Sequence, residues 1–299
     1  MARKQLMRNA MYSVHKLYKR ENNLSFNTRA DYERLTKTFI KTLHSGGYPI
    51  SDIRHLKPKS ISFLINAWQQ DGLGPGALRN RMSVLRHVCR EIGKESFVEK
   101  NNKSYRLPKR EYTPKSSKAI FSLPINHIRD QCLQLSISLQ QEFGLRREEC
   151  LKFIPSYAIK DGYIELKASW TKGGISRKIP ITTESQKALL QNLQSLIPRG
   201  SSLIPDGVSY FKHLNTYKQT IRSLGFKSLH GLRHAYAQKR YATLVLELTG
   251  DSGWCCPFQG GPKRSQMSKQ QRLVDYHARK LVSLELGHSR VGITTIYLG

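Results

Sequence analysis

The chain has 299 residues, more than one hydrophobic core usually supports, so two domains are expected. Lys and Arg number 50 against 21 Asp and Glu, a formal net charge of +29, while hydrophobic residues make up 38%. This balance implies a polyanionic partner, DNA or RNA by default, bound with an affinity that falls steeply with salt. It excludes a membrane-spanning protein, because no run of roughly twenty apolar residues occurs. Nor is a membrane-surface partner expected, since no lipidation motif or amphipathic anchor is evident.

The basic residues are spread along nearly the whole chain, which favours a protein that wraps its partner over one with a basic tail. The opening MARKQLMRNAMYSVHK lacks the apolar core of a secretory signal. Five cysteines without a C-x-x-C pair read as structural thiols in a reducing compartment. The adjacent Cys255 and Cys256 fit no standard zinc spacing, so no metal site is expected.

The first third reads as helices. Val14, Leu17 and Tyr18 share a face in a first amphipathic stretch. Thr28 is expected as an N-cap with Asp31 at N3, opening a helix over Tyr32–Leu43 whose face is Tyr32, Leu35, Phe39, Ile40 and Leu43. A third helix runs from Ser60 to Trp68. The turn Gly72–Gly76 lacks the G-K-[ST] sequel of a phosphate loop. A fourth helix follows, with Leu78, Met82, Leu85, Val88 and Cys89 inward. Its outward Arg79, Arg81, Arg86 and Arg90 have few acidic neighbours and suit a surface that tracks DNA phosphates. Residues 1–100 are therefore expected to form a helical DNA-binding domain, and the polar, basic segment 101–117 a linker along the nucleic-acid backbone.

The remainder, 118–299, is expected to be mixed. Ile128–Phe143 and Arg147–Phe153 read as helices around a Gly144-Leu145-Arg146 turn. Gly162–Leu166 and Ser176–Ile181 alternate as paired strands about the bend Trp170–Gly174. Helices return at Thr183–Ser195, Tyr210–Leu224, His230–Leu248 and Arg272–Glu285. The segment 248–268, with Gly, Pro, Trp254 and paired Cys, reads as a long loop or insertion. The fold class is thus mainly α with a small antiparallel β-sheet, an α+β domain behind a helical bundle.

Six side chains in this second part are of the types that phosphodiester cleavage requires. Arg146 opens a helix and can either pair with Glu149 one turn on or hold a phosphate with Glu149 as its buttress. Lys172, beside two glycines in the hairpin tip, is either a solvated turn lysine or a proton donor to a leaving oxygen. His230 and Arg233 lie three apart at a helix start and so share a face. His288 follows Gly287, and Tyr297 stands nine residues later. A phenol, with a pKa of about 10, needs cationic neighbours to act as a nucleophile. None of these is diagnostic singly; the ordered set is.

The segments GLRREE (144–149), TKGG (171–174), HGLRHAYA (230–237), LGHS (286–289) and TTIYLG (294–299) resemble the tyrosine recombinase, or phage-type integrase, family. Within it they are most similar to integrase-domain proteins of bacterial mobile elements and prophages. The match covers roughly Lys118 to the end, and the helical first part resembles the family's core-binding domain in position and pattern. The resemblance implies that Tyr297 attacks the scissile phosphate to give a 3′-phosphotyrosyl link and a free 5′-hydroxyl. It implies that Arg146 and Arg233 clamp the non-bridging oxygens, that His288 adds a hydrogen bond to that phosphate, and that Lys172 protonates the departing oxygen. His230 would assist proton transfer at the tyrosine and Glu149 would hold the site together. No cofactor or metal is implied, because the covalent link conserves the bond energy. Assembly as a homo-tetramer on two DNA duplexes, accessory DNA-bending proteins and a bacterial cytoplasmic, nucleoid-associated location are further implications.

Two features depart from the family pattern. The spacing from Arg233 to His288 is lengthened by the insertion, whose Trp254 could meet DNA or a neighbouring protomer, or sit on a plain surface loop. The chain also runs only two residues past Tyr297, whereas many members carry a tail that docks on the adjacent protomer. No separate arm-binding domain is evident ahead of the bundle. Two other readings stay open: the same chemistry used for inversion, dimer resolution or relaxation, and a DNA-binding architectural protein without catalysis.

Overall fold

The computed structural model describes residues 3–299; Met1 and Ala2, the first residues of the segment tested for a signal sequence, lie outside the described residues. The chain divides into two compact units, Met1–Glu111 and Tyr112–Gly299. Each has its own hydrophobic core.

Four helices build the first unit: α1 (Arg3–Arg20), α2 (Phe26–Ser45), α3 (Pro58–Gln70) and α4 (Pro75–Glu91). Helix α2 begins six residues before the expected Tyr32, because Ser25 rather than Thr28 is the cap; its side chain accepts from the Thr28 backbone N–H at 3.4 Å. Helices α3 and α4 both open on proline, whose fixed φ and missing N–H suit the first helical position. Val14, Phe39, Leu43, Leu64, Trp68, Leu85 and Val88 fill the core, with the rings of Phe39 and Trp68 4.8 Å apart.

The segment expected to be a linker folds back at its start. Asn102–Tyr105 forms a 3-10 turn, and Leu107 joins the first core. These apolar side chains, scarce in a polar stretch, have a hydrophobic surface within reach, and burial outweighs the polar composition around them.

The second unit contains α5 (Gln131–Phe143), α6 (Arg147–Leu151), α7 (Pro155–Ala158), β1 (Ile159–Lys160), β2 (Tyr163–Leu166), β3 (Arg177–Pro180), α8 (Glu184–Leu196), α9 (Tyr210–Ser223), α10 (His230–Thr249), α11 (Lys269–Glu285) and α12 (Thr295–Leu298). The molecule is thus mainly helical with one small antiparallel sheet. Its strand order is β1-β2-β3, and the register pairs Ile164 with Ile179 and Leu166 with Arg177. Ile164, Leu166 and Ile179 are buried, as the alternation requires. Strand β1, two residues long, carries no pattern that a sequence could reveal.

Helix α10 is the centre of this unit: every residue from Gly231 to Gln238 is buried. A helix apolar on one face only would lie at the surface; this one is enclosed. The insertion also turns inward. Trp254 packs against the core and donates to the Tyr241 hydroxyl at 3.1 Å, and Cys256 is fully buried. Trp254 is therefore a packing residue, and the segment is more than a plain surface loop.

Candidate active site

The site grows from the turn after α5. Gly144 adopts φ +60°, and a Cβ there would strike the Tyr236 ring, so only glycine lets the chain turn this tightly. The turn sets Arg146 as the residue that opens α6, with a side chain 21% exposed. Glu149 returns to it: one carboxylate oxygen accepts from the Arg146 backbone N–H at 2.7 Å, and the other from its guanidinium at 2.8 Å.

Glu149 is fully buried and also receives both terminal nitrogens of Arg177, at 2.7 and 2.6 Å. Burial would raise its carboxyl pKa, but the Arg177 and Arg146 guanidiniums win and hold it down to about 2. Arg177 was not foreseen as a site residue. It sits on β3, and its Nε donates to the Glu285 carbonyl at 3.0 Å. That contact passes close over Gly287, where a Cβ would lie 3.1 Å from the Arg177 side chain.

Arg233 comes from the first turn of α10 and is 1% exposed. Its guanidinium donates to the Gly144 carbonyl at 2.6 Å and to the Leu286 carbonyl, and its Nε lies 3.5 Å from the Tyr297 hydroxyl. Burial, with Arg146 nearby, pushes its pKa down to about 10. It remains a cation at neutral pH, held by carbonyl dipoles with no carboxylate among its hydrogen-bond partners.

His288 follows α11. Its backbone N–H donates to the Ser283 carbonyl at 2.8 Å, and the Ser283 hydroxyl donates back to the carbonyls of His288 and Arg290. This fixes Nε2 at 3.2 Å from the Tyr297 hydroxyl and 3.5 Å from Arg233. Burial, with Arg233 and Arg146 close by, pushes its pKa down to about 4, so the ring is neutral at pH 7.

Tyr297 lies on α12, with 4% of its surface exposed. Its neighbour Leu298 is fully buried, Gly299 rests against Pro257 and Phe258 of the insertion, and Arg279 donates to the Gly299 carbonyl at 3.1 Å. The insertion thus seats the helix that carries the phenol. Gln238, another residue not foreseen, is buried and donates to the Tyr297 carbonyl at 2.8 Å and to the Ser117 hydroxyl at 2.9 Å. His234 is buried with its ring 4.6 Å from that of Tyr297. Burial, then His230, pushes the His234 pKa down to about 4.

The structure therefore gathers Arg146, Glu149, Arg233, His288 and Tyr297. His230 is exposed at the start of α10, with its ring 6.2 Å from that of Tyr297. Lys172 is not brought in. It stands exposed in the Thr171–Gly174 turn, where the Thr171 hydroxyl bridges to the Ile175 backbone, and no hydrogen bond joins its amine to the other five. What the arrangement can do is clear from its charges. The guanidiniums of Arg146 and Arg177 share one buried carboxylate, and that of Arg233 lies beside a phenol and a neutral imidazole, which suits a phosphodiester and the charge that builds on it in a transition state.

On α4 the arginines divide. Arg79 and Arg90 are exposed, whereas Arg81 and Arg86 are half-buried. Arg81 lies over the Trp68 ring, 5.5 Å from its centroid. Arg86 donates to the Glu99 carbonyl at 2.8 Å and to the Asn102 side chain at 2.6 Å, so it also fastens the folded-back segment.

Two family models match successive parts of the chain: the N-terminal domain of phage integrases over residues 7–98, and an integrase domain over residues 102–239. The chain belongs to the phage-type integrase family, whose members are tyrosine-type site-specific DNA recombinases. Among solved structures, a lambda integrase (75–356) dimer bound to a COC′ core site is similar with a TM-score of 0.57 and 15% identity, over 95% of each chain. XerH bound to difH in a pre-cleavage complex gives 0.55 and 16%, over 97% of this chain and 81% of that one. The Tn1549 transposon integrase (82–397) with circular intermediate DNA gives 0.51 and 15%, over 97% and 95%. At these identities the likeness is one of fold. No curated protein matches the sequence.

Proposed function

We propose that this chain cuts and rejoins double-stranded DNA at specific sites through Tyr297, in the integration or excision of a mobile element or prophage. The observation that carries the assignment is the Tyr297 hydroxyl, set between Arg233 Nε and His288 Nε2 in a site whose other charges are Arg146, Arg177 and Glu149. The phenol oxygen bonds to the scissile phosphorus as the bond to the 5′-oxygen breaks, leaving a 3′-phosphotyrosyl ester. Arg146 and Arg233 balance the charge on the non-bridging oxygens. The phenol proton passes to a neutral imidazole; His288 Nε2 is in contact with the hydroxyl, and the family pattern offers His230 as well. Lys172 supplies a proton to the leaving 5′-oxygen when DNA draws its hairpin in. Attack by that 5′-hydroxyl on the phosphotyrosine reverses each step, so rejoining needs no external energy source.

The first unit serves as the core-binding domain and the second as the catalytic domain, with Arg79, Arg81, Arg86 and Arg90 on the DNA-facing side of the first. The lambda integrase structures include a dimer on a core site and a tetramer on a Holliday junction. A homo-tetrameric synapse on DNA, with accessory DNA-bending proteins, is the corresponding assembly here. Among the described residues no helix is long and apolar enough to cross a membrane. Work on DNA of this kind belongs in the bacterial cytoplasm.

The test is a nicked suicide duplex carrying element-junction sequence, incubated in EDTA with wild type and with Tyr297→Phe. Wild type is expected to give a denaturation-resistant protein–DNA band and the Phe variant none. Tight binding by both without a band would instead favour an architectural DNA-binding protein.

A further inference from the structure

The first unit holds a cluster of ionisable groups that strand transfer does not use. Glu21 follows the last turn of α1, and His87 and Glu91 lie one turn apart on α4, hence on one face. Glu21 and His87 are 6% and 7% exposed, while the Glu91 side chain is 34% exposed and borders a cleft shared with Ser13, Asn22 and Asp52. His87 Nε2 is buried and has no hydrogen-bond partner. Its nearest charged atom is Glu21 Oε2 at 3.7 Å, and Nδ1 of the same ring is 4.0 Å from Glu91 Oε1. One ligand atom from each of the three residues falls within 4.8 Å of the others. The imidazole is held between Tyr18, stacked at 6.0 Å, and the edge of Tyr32 at 5.1 Å.

A buried ring nitrogen left without a partner is costly, and such groups are rare in folded proteins. Two carboxylates flanking that imidazole, one near each ring nitrogen, are also out of keeping with a chain of 50 basic and 21 acidic residues. Both features are accounted for by one ion. We propose that Glu21, His87 and Glu91 bind a divalent transition metal, zinc first, with water from the cleft as a further ligand. The mixed imidazole and carboxylate set suits zinc and its neighbours better than calcium or magnesium, which prefer oxygen alone. Two carboxylates balance a dication. The ion would tie the end of α1 to α4 and steady the connection into α2, where Glu21 already accepts from the Asn23 backbone N–H at 2.7 Å. This role is structural and independent of the proposed cleavage chemistry.

The test uses untagged, full-length protein stripped with chelator and titrated with Co²⁺, whose visible bands report coordination, and then with Zn²⁺. Wild type is expected to bind one Co²⁺ per chain, to release it to Zn²⁺, and to melt at a higher temperature with Zn²⁺ present. Glu91→Gln, a change at the rim of the cleft that should fold normally, is expected to lose about tenfold or more in Co²⁺ affinity and to lose the Zn²⁺-dependent rise in melting temperature. Cys255→Ser should behave as wild type, which separates this site from binding to the half-exposed thiol. Absence of binding by wild type, or undiminished binding by Glu91→Gln, would overturn the proposal and leave His87 as a buried histidine beside Glu21.

Discussion

The cluster around Tyr297 and the hairpin that carries Lys172 differ in almost every physical respect. In the cluster, Glu149 and Arg233 are essentially inaccessible and each side chain is fixed by several hydrogen bonds. In the hairpin, Lys172 and its neighbours Gly173 to Ser176 are exposed, and Ile175 is 74% exposed. One region has its charges placed before substrate arrives, so little reorganisation is needed during reaction. The other has a charge on a short tether that can be recruited or withdrawn. The same difference decides what a mutation does: in the cluster, fold and chemistry are lost together, whereas in the hairpin chemistry alone is exposed to change.

The largest effect on the fold is expected from Glu149→Ala. It leaves Arg177, 7% exposed, without its anion, and breaking a buried pair from one side costs about 3–5 kcal/mol. Denaturant unfolding of wild type and variant measures it, and a loss below about 1 kcal/mol would break the contrast drawn here. The carboxyl, held down to about 2 from an ordinary 4.5, contributes stability that is complete above 4.5 and disappears as pH falls through 2.

Arg233→Ala should cost less in stability and more in function. Truncation strips the Gly144 and Leu286 carbonyls of a donor, worth about 1–3 kcal/mol, but it also removes a cation that sits unfavourably near Arg146. Cleavage should fall by about 10²–10³, as for loss of one well-placed donor to a developing anion. Single-turnover formation of the covalent complex separates the two effects.

A smaller, pH-dependent effect comes from the imidazoles. The pKa values of His234 and His288 are pushed down to about 4 from an ordinary 6.5. Between those values the unfolded chain takes up protons that the folded chain refuses. Their contribution is therefore complete above 6.5 and is lost as pH falls towards 4. Unfolding midpoints at pH 7 and pH 5 should differ for wild type, and the difference should narrow in His234→Gln. An unchanged slope in the variant would remove His234 from this account.

How legible the molecule was depends on whether a feature is local. Helices α3, α4, α8, α9 and α10 show in apolar spacing because their buried faces repeat every three or four residues. Their ends show less well: α2 and α11 start earlier than expected because Ser25 and Ser268 supply the caps, and a serine inside a polar stretch looks like any other. In the site, Arg146, Arg233, His288 and Tyr297 stand out through their ordered spacing. Arg177, Gln238 and Glu285 do not, since their importance comes from contacts across distant segments. Arg177 reaches Glu149 only because β3 pairs with β2 in one register, and alternation alone cannot say which acid a strand arginine will meet.

The smallest effect on the fold is expected from Lys172→Ala, and it is the most discriminating. The side chain is exposed and makes no hydrogen bond to the cluster, so stability should change by no more than about 0.5 kcal/mol. If the amine protonates the leaving 5′-oxygen, cleavage should fall by about 10²–10⁴, the usual range for loss of a general acid. A substrate whose bridging 5′-oxygen is replaced by sulfur gives a far better leaving group that needs no proton. On that substrate the variant should recover most of the wild-type rate. Recovery would show that an exposed lysine, with no hydrogen bond to the other groups at rest, enters the reaction at the leaving-group step. An equal deficit on both substrates would instead mean that Lys172 only helps to hold DNA, and the hairpin would then belong with the α4 arginines as a phosphate contact.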